Sequence, residues 1–178
     1  IYAELVSSCL VSEAHHVTGL NKESEALVYA IRTALERAGI AATEIGYVSS
    51  HGTGTEQNDL AEMRALAEVF GRQVSQLYVS SSKSMLGHMV NAAGGAELAV
   101  TLLAMRDGFA PPTMNVTVPD PECQFDCLPQ SGKRRRFQYA LKLSLAFGGH
   151  LMAVVLRRWD AHQSGFEYTD DAPLRRAA

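Results

Sequence analysis

Three short stretches hold most of the residue types able to do chemistry: His51 in HGTGTEQND, Lys83 and His88 in SSKSMLGHM, and Phe147 in AFGGH. Histidine donates or accepts a proton near neutral pH. In the first stretch it is followed by glycine and threonine in alternation. Glycine permits a sharp turn or the close approach of a ligand. The hydroxyls of Thr53 and Thr55 can donate to phosphate or amide groups. The spacing leaves a second reading open, in which both hydroxyls satisfy their own turn and His51 simply ends a strand. In the second stretch, Lys83 stands in a polar turn and His88 is expected at the front of a helix. The partial positive charge there disfavours imidazolium. A neutral imidazole with a free N–H is a good donor to a developing oxyanion. The third stretch places Phe147 beside Gly148 and Gly149.

These stretches need elements to hold them. Residues 1–12 read as a strand, and 24–38 as a helix with Leu27, Ile31 and Leu35 on one face and Gly39 just past its end. A strand over 45–50 leads into the first stretch. The spacing of Asp59 and Glu62 matches a capping box and predicts a helix over 59–70. A strand over 76–81 leads into the second stretch. From Leu86 to Met105 the chain is apolar or small on nearly every face, which predicts a helix buried inside the protein. FAPPTMNV and DPECQFDCLP read as loops, and YALKLSLAFGGHLMAVVLRRW as two strands joined at Gly148-Gly149. Strands alternating with helices give an α/β class. In open α/β sheets, loops leaving strand ends are where ligands sit.

Composition narrows the function further. The chain has 178 residues and a formal net charge of −3, one domain's worth of sequence with no support for nucleic-acid binding. It has no run of roughly 18 apolar residues, so no membrane span is expected, and no basic-then-apolar leader stands at its front. Cys9, Cys123 and Cys127 are odd in number and lack a CxxC, which disfavours a disulfide framework and a zinc site. A reduced, cytoplasmic setting is expected. The organisation expected is a domain over 1–159 and a loosely held tail over 160–178, where the apolar period is lost. Opening at Ile1 inside a strand, without methionine, suggests a piece of a longer or divided chain.

Taken together, HGTGT followed by Asp59, then SSKSMLGHMVNAAGGAEL, then SLAFGGH resemble the C-terminal half of a β-ketoacyl-acyl carrier protein synthase. The resemblance runs from Tyr2 to about Trp159, with the motifs in family order. It implies one half of a thiolase-like five-layered α-β-α-β-α sandwich. It also implies decarboxylative Claisen condensation of an enzyme-bound acyl group with malonyl-acyl carrier protein, in fatty-acid or polyketide synthesis. His51 and His88 match the two histidines that bind the malonyl thioester carbonyl and stabilise the enolate. Thr53 and Thr55 match contacts to the phosphopantetheine arm of the carrier, and no cofactor of the chain's own is implied. Lys83 and Glu97 match a pair that orders the site, and Phe147 a gate beside the nucleophile. Glu97 lies nine residues after His88, about half a turn out of phase at ~100° per residue. Its pairing with Lys83 therefore comes from the resemblance alone. The implied partners are an N-terminal half, the acyl carrier protein, and a second copy of the completed fold.

The resemblance also shows what is missing. Condensation needs a thiolate to hold the acyl chain, and the family carries it in the N-terminal half, on a tight turn entering a helix. Cys9 falls in a strand matching a non-catalytic segment, and Cys123 and Cys127 in an irregular, proline-flanked stretch. None matches the nucleophile. The family commonly reads Asn-Ser-Phe-Gly-Phe-Gly-Gly-Thr-Asn where this chain differs at Leu143, Leu145, Ala146, His150 and Leu151. Asn58 likewise replaces a common glycine, and Ala146 is expected to stiffen the gate. Two other readings remain open: a non-condensing partner like the chain-length factors, which usually lack the histidine pair, and a carrier-binding module. The basic run KRRRF over 133–137 is either a docking patch for an acidic carrier or a solvated loop.

Overall fold

The computed structural model describes residues 1–160; the expected tail lies outside the described residues apart from Asp160. In chain order the elements are β1 (Ala3–Ser12), α1 (Glu25–Ala38), β2 (Ile45–Ser49), α2 (Glu56–Phe70), β3 (Tyr78–Ser80), α3 (Lys83–Leu86) and α4 (Ala93–Asp107). They are followed by β4 (Phe109–Ala110), β5 (Lys133–Arg134), β6 (Tyr139–Ala146) and β7 (His150–Arg158). Five strands form one mixed sheet in the order β1-β7-β6-β2-β3. β2 runs parallel to β3 and β6, while β6–β7 and β1–β7 are antiparallel.

Both faces of this sheet are covered, and the sequence explains how. β2 is buried at every position, as a parallel strand packed on both sides must be. Leu141, Leu143 and Leu145 of β6 join Val48, Val155 and the apolar faces of α1 and α2 in one core. Their neighbour of opposite parity, Ala140, packs with Tyr47, Leu156, Ala104 and Met105 against α4 in a second core. Lys142 shares the parity of Ala140, so a lysine stands on the α4 side of a central strand. α1 closes at Gly39, whose φ of 67° lets its N–H reach the Glu36 and Leu35 carbonyls.

The structure departs from the sequence expectations in three places near the site. α2 begins at Glu56, with Thr55 at the cap position, not at Asp59. Asp59 lies inside the first turn and accepts from the Gly54 N–H at 3.3 Å and the Asn58 amide at 3.0 Å. The long helix expected from Leu86 is broken: α3 ends there, Gly87 turns with φ 76°, a 3₁₀ turn spans Val90–Ala92, and α4 starts at Ala93. His88 therefore sits in the connection between two helices, not at the front of one. Nor is the segment buried all round, since Met85, Leu86, Met89, Val90 and Leu103 are exposed within this chain. Lastly, the loops expected at FAPP and KRRRF supply the two short strands β4 and β5, paired antiparallel.

Candidate active site

Parallel strands β2 and β3 end side by side, so the loops that leave them meet. The first loop is pulled onto α2 by Glu62. One oxygen of its buried carboxylate accepts the His51 N–H at 2.7 Å, and the other accepts the Gly52 N–H at 2.6 Å and the Asn58 amide at 2.9 Å. Burial pushes the Glu62 pKa up, and these donors oppose it. The second loop is fastened to the first by Ser81, whose hydroxyl donates to the Gly52 carbonyl at 2.6 Å. This closeness requires glycine at position 52. Its φ is +46°, and a Cβ there would lie 2.4 Å from the Ser81 Cβ.

Lys83, on the first turn of α3, donates to the His51 carbonyl at 2.5 Å, and its Nζ lies 3.1 Å from the His51 Nδ1. The same ammonium meets Glu97 of α4 at 2.5 Å, and Lys142 of β6 meets the other Glu97 oxygen at 2.7 Å. All three of these side chains are buried. An ammonium has donors and no acceptor, so the His51 Nδ1 must accept from Lys83, and the proton of the neutral ring stands on Nε2. Charge stays off this ring. Burial first, then the ammonium groups of Lys83 and Lys142 and the neighbouring His88, lower the His51 pKa to about 3.

His88 is held at the same ring atom by a different donor. Its Nδ1 accepts the Val90 backbone N–H at 3.0 Å, which again leaves the proton on Nε2. The two rings lie 5.7 Å apart, centroid to centroid, at 88° to each other. Each ring extends roughly 4 Å from its centroid to a hydrogen-bonded acceptor, so one oxygen can accept from both. Beside them opens a cavity of about 570 Å³, lined among others by Thr53, Lys83, His88, Thr113 and Met114. The hydroxyls of Thr53 and Thr55 are exposed and face each other at 2.8 Å. Phe147 stands on the β6–β7 turn and is 76% exposed.

Other groups stand outside the imidazole pair, although Cys123 and Cys127 line the same cavity. Cys9 is buried in β1. Burial pushes the Cys123 thiol up to about 11 and raises Cys127 as well, the opposite of an activated nucleophile. The basic run is anchored to the fold: Lys133 pairs with Asp126 at 2.5 Å, Lys133 and Arg135 lie over the Tyr78 ring, and Phe137 is buried against Tyr47. Glu62, Ser81 and Lys142 were not singled out as site residues from sequence. The signal for Lys142 was present, as the one charge inside the otherwise apolar strand YALKLSLA.

Comparison with known proteins supplies the family. The profile described as "Beta-ketoacyl synthase, C-terminal domain" matches residues 2–117, more than half of the chain. The chain belongs to the beta-ketoacyl synthase family. It is 37% identical over 161 residues to 3-oxoacyl-[acyl-carrier-protein] synthase 2 of Staphylococcus aureus, covering 90% of this chain and 39% of that protein. Among solved structures, a ketosynthase bound to the hexaketide, in complex with its type II PKS acyl-carrier protein, superposes with a TM-score of 0.87. The match is 36% identical and covers 90% of this chain and 39% of the other. The ishigamide ketosynthase/chain length factor gives 0.84 at 34% identity, again over 90% of this chain and 39% of that one. The α/β fold is thus the C-terminal half of the thiolase-like ketosynthase fold. The chain spans about two fifths of the length of the ketosynthases it matches.

Proposed function

We propose that this chain supplies the donor half of a ketosynthase active site, completed by an N-terminal half that carries the nucleophilic cysteine. The observation that carries the reading is the matched pair of imidazoles. Both have Nδ1 occupied by a donor, neither Nε2 meets a partner among the described residues, and together they can serve one oxygen. In the reaction the bond between the malonyl α-carbon and its carboxylate breaks, and carbon dioxide leaves. The electron pair moves onto the thioester oxygen, where His51 and His88 meet it with two N–H donors. The enolate then attacks the acyl thioester on the partner half's cysteine, forming the new carbon–carbon bond and releasing the thiolate. Because His51 is held neutral and its donor is fixed in advance, no proton or dipole must reorganise as the charge develops. Thr53 lines the cavity and its hydroxyl meets that of Thr55 at 2.8 Å, so this pair can hold the pantetheine arm, and Phe147 gates the acyl side. Acyl carrier protein is the partner that delivers the malonyl group, and the completed fold pairs with a second copy.

The test combines this chain with an N-terminal half and measures carbon dioxide release from malonyl-acyl carrier protein. His51→Ala and His88→Ala should each lower the rate by roughly 10²–10³-fold, the usual cost of one oxyanion donor. Equal rates for wild type and both variants would overturn the reading, as would no decarboxylation in the completed enzyme. Carrier binding in the absence of decarboxylation would instead make the chain a binding module.

A further inference from the structure

Lys142 projects from a central strand, between Leu141 and Leu143, and is 2% exposed. Its ammonium touches one Glu97 oxygen at 2.7 Å and donates to the Leu143 carbonyl. The other Glu97 oxygen is taken by Lys83 at 2.5 Å. Neither contact is aligned as a directional hydrogen bond, so the two ammonium groups are held to this carboxylate by charge. Lys83 and Glu97 would already be neutral together. A second buried lysine adds a desolvation cost that the pair does not need for its own stability. What it adds is direction. A carboxylate with one buried cation can turn either oxygen toward it, whereas a carboxylate fixed at both oxygens holds Lys83 in one place. That place is 3.1 Å from the His51 Nδ1.

We propose that Lys142 is a positioning residue: it fixes the second oxygen of Glu97, which holds Lys83 against Nδ1 of His51 and locks the His51 proton on Nε2. Its relevance to decarboxylation rests on the proposed function; its effect on His51 does not. The charged and titratable groups around His51 are Lys83 on α3, Glu97 on α4, Lys142 on β6, Glu62 on α2 and His88 in the α3–α4 connection. Burial lowers the Lys142 pKa and Glu97 opposes that, while Lys142 itself helps to keep His51 uncharged.

The experiment is imidazole ¹H–¹⁵N correlation spectroscopy on the ¹⁵N-labelled chain, with Lys142→Met and Lys142→Arg. Methionine keeps the length of the stem and removes the charge. The wild type should show His51 as a single Nε2–H tautomer. Lys142→Met should show mixed tautomers and a protonation midpoint moved up toward that of a free histidine, and Lys142→Arg should restore the wild-type pattern. An unchanged tautomer and midpoint in Lys142→Met, with only a lower melting temperature, would overturn the proposal. Should that variant not fold, the wild-type lysine ammonium resonances decide. Slow exchange at both Lys83 and Lys142 supports the bridge, and free exchange at Lys142 overturns it. None of these readouts uses substrate. A tautomer shift alongside a completed enzyme that does not decarboxylate would refute the condensation reading and leave the role of Lys142 standing.

Discussion

Acidification should weaken the fold through His51, by an amount that the structure sets. The ring is 8% exposed, and burial together with Lys83, Lys142 and His88 lowers its pKa to about 3. In the unfolded chain the value returns to roughly 6.5. Below that pH the unfolded state binds a proton that the folded state refuses, so stability is complete above pH ~6.5 and is lost as pH falls toward the folded value. Each pKa unit is worth about 1.36 kcal/mol. The linked loss is then about 2 kcal/mol between pH 8 and pH 5 and about 3 kcal/mol by pH 4. Urea unfolding at each pH measures the total, to which the other histidines also contribute. Subtracting the same series for His51→Asn, whose side-chain oxygen can take the place of Nδ1 beside Lys83, cancels them. The difference between the two proteins should narrow by about 2 kcal/mol from pH 8 to pH 5. Parallel stability curves would refute the reasoning, and so would a His51 resonance that titrates near 6.5.

Two further outcomes follow from the contacts around the site. Glu62→Gln turns one of the two acceptors on the loop into an amide NH₂ facing a backbone N–H. It should cost about 1.5–3 kcal/mol, the range for a charged hydrogen bond, read from the urea midpoint and from faster amide exchange at His51 and Gly52. Cys123, with its thiol pushed up to about 11, should react with iodoacetamide at pH 7.5 roughly 10²-fold more slowly than a free cysteine. Peptide mapping by mass gives that rate, and a rate at or above that of a free cysteine would reopen Cys123 as a nucleophile.

The sheet and the two loops were legible in the sequence because each rests on a local signal. β2 is a short apolar run, α1 carries its period and its closing glycine, and the last two strands flank a glycine pair. The start of α2 was misplaced because Asp59 and Glu62 have the spacing of a capping box, and spacing alone does not say which backbone a carboxylate will reach. Glu62 reaches back across the loop to His51 and Gly52, eleven and ten residues before it. Lys142 and Glu97 meet across a tertiary contact between β6 and α4 that no periodicity encodes. A lone lysine in an apolar strand signals that a partner must exist, without naming it. The placement of His88 was the costlier misreading. Gly87 and Val90, both at positive φ, break the chain where the apolar content argued for an unbroken helix.

That break has a functional logic under the proposed two-half reading. An uninterrupted helix would carry His88 on a rigid rod whose phase separates it from the Glu97 side. The turn at Gly87–Ala92 lets His88 stand edge-on to His51 while α4 still delivers Glu97 to Lys83. The residues flanking His88 are Met85, Leu86, Met89 and Val90, all apolar and all exposed in this chain, Val90 at 71%. A helix apolar on every face belongs inside a larger core, and here the uncovered side is the one that bears the second histidine. Packing the other half against it would remove this apolar surface from water and enclose the Nε2–H donors in the same step. Hydrogen bonds to a developing enolate gain most where water is excluded. Assembly and catalysis would then depend on the same surface, so substituting Val90 with aspartate should weaken pairing and decarboxylation together.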